Sequence, residues 1–174
     1  MKYFFDTEFI ERIKKGAIVI DLISIGIVSE DDRKFYYWNK DAPWDEIEKH
    51  DWLKKNVLPY KPPVIKSGKD KMLYSLKDGW LDRKDFASKI LEFVGDDKKP
   101  EFWAYYGAYD WVVFCSLFGA MIDLPEHFPM FCMDIMQLKK YFSVDKIPIK
   151  QKNEHSALAD AEWNKKAYEW LEIL

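Results

Sequence analysis

Between Ala17 and Val28 the chain runs AIVIDLISIGIV, a stretch rich in isoleucine and valine whose only charge is Asp21. It is entered from a charged turn at Arg12 to Gly16 and left through Glu30 to Arg33, which reads as a strand between two turns. A compact aromatic segment, residues 2 to 9, precedes it, and Phe35-Tyr36-Tyr37-Trp38 follows. Three consecutive strands of this kind predict a meander. Downstream the pattern changes to helix and strand alternation. Pro43, with Asp45 and Glu46 behind it, opens one or two helices before Pro59, for which Trp44, Ile47, Trp52 and Leu53 offer apolar anchors. Residues 59 to 78 read as a loop. Asp82 then caps a helix carrying Phe86, Ile90, Phe93 and Val94 and ended by Gly95. A strand over Glu101 to Tyr106 feeds through Gly107 into a helix over Tyr109 to Phe118. Two more helices are expected, over Asp134 to Phe142 and from about Ser156 to the end. The predicted class is α/β: a mixed sheet, antiparallel meander plus parallel strands, flanked by helices.

With 174 residues the chain suits one domain, 1–174. Its 48% hydrophobic, 33% charged and 17% aromatic content is that of a chain with a packed core, not a disordered one. No window approaches the roughly 18 apolar residues of a membrane helix, and the acids in MKYFFDTEFIERIKK do not suit a secretory leader, so a cytoplasmic location is expected. Cys115 and Cys132 lie in apolar stretches without CxxC spacing and read as buried thiols. The net charge of −3 argues against nucleic-acid binding through a general basic surface. It leaves room for binding through metals, since two divalent cations would bring the loaded protein to +1.

Three places carry the chemistry. In Asp6-Thr7-Glu8 the period of a strand aims both carboxylates at one spot among Phe4, Phe5, Phe9 and Ile10, where they repel unless a cation or hydrogen bonds compensate. A DxE spacing arises by chance about once in such a chain, and a solvated strand end is the other reading. Asp110 is the only charge between Glu101 and Asp123, in the first turn of a helix leaving a buried strand. Capping explains it as readily as metal binding does. In His155-Ser-Ala-Leu-Ala-Asp160 the aspartate shares the inward stripe of Ala157, Ala161, Asn164, Tyr168 and Leu171, and small neighbours let that helix approach a sheet closely. A salt bridge is the alternative for Asp160, and a surface position the alternative for His155. Taken together, four acids and a histidine suit a site where two Mg²⁺ or Mn²⁺ ions clamp a phosphodiester and the histidine accepts the proton of the attacking water.

In this order the motifs resemble those of the DEDDh exonuclease superfamily, which includes ribonuclease T and oligoribonuclease. The segments YFFDTEFIE, LISIGIVSED, FWAYYGAYDWVVFCSLFG and HSALADA resemble most closely a compact bacterial and phage family of 3′-to-5′ exoribonucleases. The resemblance implies a ribonuclease H-like fold. It implies that Asp6, Glu8, Asp110 and Asp160 hold two divalent cations, Mg²⁺ or Mn²⁺, and that His155 is the general base. It implies that Phe9 and Ile10 contact the terminal nucleotide and that Ser24 contacts a sugar or phosphate. One departure is visible: Tyr105 and Tyr106 stand where many members carry a His-Asn pair, either to stack on a base or to pack in the core.

The activity implied is release of nucleoside 5′-monophosphates from single-stranded RNA or RNA 3′ overhangs. A DNA exonuclease and a non-catalytic nucleic-acid or protein interaction module on the same fold are the alternatives, and a homodimer is expected because such relatives are often dimeric. Arg12, Lys14 and Lys15, and Lys146, Lys150 and Lys152, flank the expected site and suit either phosphate steering or ordinary solvation.

Overall fold

The computed structural model describes residues 1–63 and 79–174, and the backbone alone of 65–67 and 71–73. Its centre is a six-stranded mixed sheet flanked by helices, consistent with a ribonuclease H-like fold. Strands β1 (Lys2–Lys14), β2 (Ala17–Ser29) and β3 (Lys34–Asn39) form the antiparallel meander. Helices α1 (Trp44–Ile47) and α2 (Asp51–Asn56) follow. Within the expected loop over 59–78, the backbone of β4 (Ile65–Ser67) and β5 (Lys71–Leu73) pairs as a small antiparallel hairpin. Residues 64, 68–70 and 74–78 of that loop lie outside the described residues. Then come β6 (Trp80–Leu81), α3 (Phe86–Val94), β7 (Glu101–Ala104), α4 (Ala108–Ser116), β8 (Met133–Asp134), α5 (Ile135–Tyr141) and α6 (Ala157–Glu172). The sheet order is β6-β3-β2-β1-β7-β8, with β6, β7 and β8 each parallel to the strand they join.

β1 extends five residues beyond the expected Phe9, because its charged end pairs on with β2 as a hairpin that leaves the core, with Ile13 81% and Ile18 65% exposed opposite one another. Asp82 does not cap α3 directly. A 3₁₀ turn over Arg83–Asp85 intervenes, and the Asp82 carboxylate pairs with Lys40. Cys115 is buried and Cys132 half-buried, and burial pushes their thiols up to about 11 and about 12 respectively.

Alternation along β1 sorts its side chains onto two faces. Tyr3 and Phe5 join Ile25, Ile27, Phe86, Ile90, Phe102 and Phe114 in the core under α3 and α4. On the other face Phe4 packs with Trp103, Trp163 and Tyr168 beneath α6, while Ile10 packs with Ile23, Trp38, Ile47 and Leu53 beneath α1 and α2. Asp6 and Glu8 fall between these two cores on the same face. A bulge maintains this order: Glu8 opposes Ser24 but Phe9 opposes Leu22, so Ile23 is the extra residue of β2 and joins Ile10.

α6 lies hard against the strands. A Cβ on Gly26, which opposes Asp6 in the register, would stand 2.4 Å from the carbonyl carbon of Ala157, so only glycine admits the helix at that depth. Asn164 then donates to the Phe5 carbonyl at 3.0 Å, and the buried Lys165 donates to the Glu30 carbonyl at 2.9 Å and pairs with Asp32. These contacts fix the register of α6 on β1 and β2. Gly26→Ala should therefore cost about 1–3 kcal/mol, the usual range for overpacking a tight contact. A lowered melting temperature together with weakened divalent-metal binding would bear this out, and unchanged values for both would refute it.

Candidate active site

Asp6 and Glu8 project from the middle of β1, and Asp160 comes down from the first turn of α6. Carboxylate oxygens of these three lie within 4.8 Å of one another. Glu8 and Asp160 are buried and Asp6 half-buried. Asp110, third residue of α4, approaches from the opposite face of β1. There Thr7 meets it with two donors: the backbone N–H at 2.8 Å and the hydroxyl at 2.6 Å, both to Oδ1. Asp110 is thus bound to the strand that carries Asp6 and Glu8, and the remaining Oδ2 is spared by Thr7. It stands outside the 4.8 Å cluster, yet its charge acts on both Asp6 and Glu8.

Asp160 is oriented from the loop ahead of its helix. The Gln151 side-chain amide donates to Oδ1 at 2.6 Å and the backbone N–H of His155 donates to Oδ2 at 2.8 Å. Neither Asn153 nor His155 is glycine, yet both take left-handed backbone angles, φ 56° and 68°. The Asp160 carboxylate holds this uncommon turn in place. The imidazole of His155 meets Trp52 of α2 edge to face, 4.7 Å between ring centroids.

The electrostatics follow from burial. The carboxyls of Asp6, Glu8, Asp110 and Asp160 are all held above the ordinary carboxylate range, in each case first by loss of solvent. Mutual repulsion adds to this for Asp6 and Glu8, and Glu8 is pushed up to about 8. The Thr7 donors oppose the rise at Asp110, and those from Gln151 and His155 oppose it at Asp160. Among the described residues no Lys or Arg forms an ion pair with any of the four, whereas Arg12 and Lys165 find acidic partners elsewhere. The set fits a hard divalent cation. It offers oxygen donors at one point, and among the described residues the charge there has no Lys or Arg ion-pair partner and the buried Ser24 hydroxyl no hydrogen-bond partner.

A cleft of about 400 Å³ opens beside Glu8, lined by Thr7, Phe9, Ile10, Glu11, His50, Trp52 and Leu53. Phe9 is half-buried and stacks on the exposed Tyr109 at 6.0 Å, while Ile10 belongs to the core with only its edge on the cleft. Ser24 is fully buried, so a direct sugar or phosphate contact has no opening here. Trp52, read from sequence as a helix anchor, is 48% exposed and forms a wall of the cleft. Tyr105 packs against Trp163, but Tyr106 is exposed, and core packing accounts for the first alone. Arg12 is taken by Asp21 and Glu46 and is not free for phosphate. Lys150 and Lys152 border a hollow of about 250 Å³ with Trp163 and Lys166, next to the His155 turn. Sequence reasoning missed Thr7, Gln151 and the placement of Trp52. For Thr7 a signal existed, since alternation puts it on the far face from which Asp110 arrives.

The raised pKa of Glu8 has a thermal consequence. The folded, metal-free protein keeps a proton there that the unfolded chain releases above its ordinary 4.5, so this contribution to stability is full below 4.5 and lost as pH rises through about 8. Glu8→Gln keeps the shape without the charge. In chelator at about pH 8.5 it should melt above wild type by roughly 2–4 °C for each kcal/mol relieved, with the gap closing towards acid pH. A variant that melts lower than wild type at alkaline pH would contradict this.

The model of the 3'-5' exoribonuclease Rv2179c-like domain matches residues 1–171. The chain is 34% identical over 163 residues, covering 92% of this chain and 87% of the relative, to the 3'-5' exoribonuclease Rv2179c of Mycobacterium tuberculosis (strain ATCC 25618 / H37Rv). The same identity and coverage hold for the 3'-5' exoribonuclease MT2234.1 of Mycobacterium tuberculosis (strain CDC 1551 / Oshkosh). With the match running nearly end to end through all the acidic positions described above, this chain belongs to the Rv2179c-like family of 3'-5' exoribonucleases.

Proposed function

We propose that the chain is one catalytic domain, 1–174, of DEDDh type, which removes nucleoside 5′-monophosphates from the 3′ end of single-stranded RNA or RNA overhangs. The observation that carries this reading is the convergence of Asp6, Glu8 and Asp160 within 4.8 Å, with no Lys or Arg among the described residues in an ion pair with them. The family adds the polarity and the substrate class. Asp6, Glu8, Asp110 and Asp160 are the residues that would hold two divalent cations, Mg²⁺ or Mn²⁺. Bound there, the ions supply positive charge to the phosphate as charge builds on its oxygens.

The chain's own groups do the rest. Thr7 fixes Asp110, and Gln151 with the His155 amide fixes Asp160, so both acids are oriented before substrate arrives. His155, presented ahead of α6 and steadied against Trp52, takes the proton of the attacking water. The water oxygen bonds to the terminal phosphorus, the bond from phosphorus to the preceding 3′ oxygen breaks, and that oxygen collects a proton. The cleft with Phe9, Ile10 and Trp52 receives the terminal nucleotide, its aromatic walls suited to a base face.

Asp6→Ala should abolish hydrolysis while circular dichroism stays native, since a half-buried acid that repels its neighbours contributes little to folding. His155→Ala should lower kcat by about 10²–10⁴-fold with Mn²⁺ affinity unchanged. A time course on 5′-labelled RNA and the matching DNA, in Mg²⁺, Mn²⁺ or EDTA, checks both. A descending ladder on RNA that needs metal, Asp6 and His155 is the expected result. Equal degradation in EDTA would overturn the metal reading, a ladder on DNA alone the choice of RNA, and no cleavage by a folded, metal-loaded protein the enzymatic reading itself.

A further inference from the structure

Three lysines that the reaction does not use, Lys150, Lys152 and Lys166, meet around the hollow of about 250 Å³ beside the His155 turn. α6 forms one wall of it with Ala159, Glu162, Trp163 and Lys166, spaced so that all four share one stripe of the helix. That stripe borders the one that presents Asp160. The segment ahead of α6 forms the other wall, and there neighbouring residues divide. The Gln151 amide turns to Asp160 at 2.6 Å, while Lys150 and Lys152 on either side of it line the hollow. One short segment therefore orients an acid of the site and holds two cations next to it.

The hollow is positively charged. All three lysines are exposed, and among the described residues none of them forms an ion pair. The acid in the helical wall, Glu162, is held by Lys34 at 2.6 Å. Ile149, Ala159 and Trp163 give an apolar floor, with the Trp163 indole N–H donating to the Ile149 carbonyl at 3.0 Å. Cations at the rim of an apolar floor suit a strand of nucleotides, with phosphate on the ammonium groups and a sugar or base face below.

Position decides which part of the strand this is. The cleft for the terminal nucleotide lies on the Glu8 side of the acid cluster and the hollow on the Asp160 side, with the two carboxylates within 4.8 Å of one another between them. An exonuclease that cuts behind the terminal nucleotide must lead the rest of its strand out of the cleft and across the acids. The hollow is where a strand leaving in that direction arrives.

We propose that Lys150, Lys152 and Lys166 form a subsite for the backbone phosphates of single-stranded RNA on the 5′ side of the bond being cut. The inference rests on the exonuclease reading above and extends its substrate surface beyond the terminal nucleotide. The lysines hold the strand and take no part in the chemistry, so their effect falls on KM.

The test measures initial rates on a ribodinucleotide and a hexaribonucleotide, both with a 5′ hydroxyl, by chromatography of the released nucleotide. It compares wild type, the Lys150→Gln/Lys152→Gln double variant and Lys166→Gln in Mg²⁺ at about 50 to 200 mM salt, with circular dichroism to verify the folds. A dinucleotide has no phosphate beyond the scissile one, whereas the hexanucleotide has several for the hollow. In wild type KM for the hexanucleotide should lie about tenfold below that for the dinucleotide, and in each variant this advantage should shrink about three- to tenfold at little change in kcat. On the hexanucleotide, the slope of log kcat/KM against log salt should flatten by about 0.7 for each phosphate contact removed. Variants that keep the wild-type length advantage and salt slope would overturn the proposal. So would an equal loss of kcat on both substrates, which is the mark of Gln151 displaced from Asp160; Lys166→Gln, on α6, leaves that segment untouched. The variants alter different elements, so if one fails to fold the other decides. If wild type cuts neither RNA, the exonuclease reading itself fails, and the subsite falls with it.

Discussion

The contact of Ala157 with Gly26 is the constraint on which the site depends. Asp6 and Glu8 need only β1, but Asp160 reaches them because α6 crosses the strands where β2 has no side chain to hold it away. Asn164 and Lys165 then lock the helix by hydrogen bonds to the Phe5 and Glu30 carbonyls, so a helix of sixteen residues is held in register along its length. The stripe of small and polar residues facing the sheet, Ala157, Asp160, Ala161 and Asn164, makes little sense as a hydrophobic face. It makes sense as the surface of a helix that must come close and bring a carboxylate with it.

That closeness creates an electrostatic problem that no cation among the described residues solves by pairing with the acids. Four carboxyls are desolvated and pushed towards their protonated forms, and no Lys or Arg among the described residues forms an ion pair with them, Arg12 and Lys165 having acidic partners elsewhere. Neutral donors instead orient two of the four: Thr7 for Asp110, and Gln151 with the His155 amide for Asp160. Such donors set geometry without cancelling charge, which leaves the site ready for a divalent cation and unfavourable without one. The sheet supports this arrangement by parting its cores. Hydrophobic packing is dense under Phe4 and again around Ile10, Trp38 and Trp80, and the acids lie in the gap.

How much of this could be read from the sequence depended on whether a feature was local. The meander, the helices around Asp110 and after His155, and the inward stripe of α6 follow from apolar periodicity, which a chain shows without its fold. The two-residue strands β6 and β8 do not, because pairing with β3 and β7 creates them and two residues carry no period. The acids were legible as isolated charges in apolar settings, but their supporting groups were not. Gln151 is an ordinary polar residue in a loop, and only the turn with left-handed Asn153 and His155 aims it at Asp160. The substrate contact that the resemblance implies for Ser24 is closed off because Ser24 is fully buried opposite Glu8, on the strand against which α6 packs. Trp52 looked like core, but a short helix with Leu53 buried must turn the neighbouring residue towards the cleft.

The central claim is that this protein keeps a cluster of acids partly protonated until a divalent cation replaces the protons. Calorimetric titration of metal-free protein with Mg²⁺ or Mn²⁺ near pH 7, repeated in buffers of different ionisation enthalpy, counts the protons released on binding. With Glu8 held up to about 8, the account predicts saturable binding with release of about one proton or more per protein. Binding without proton release, or no binding by a folded protein, would contradict it.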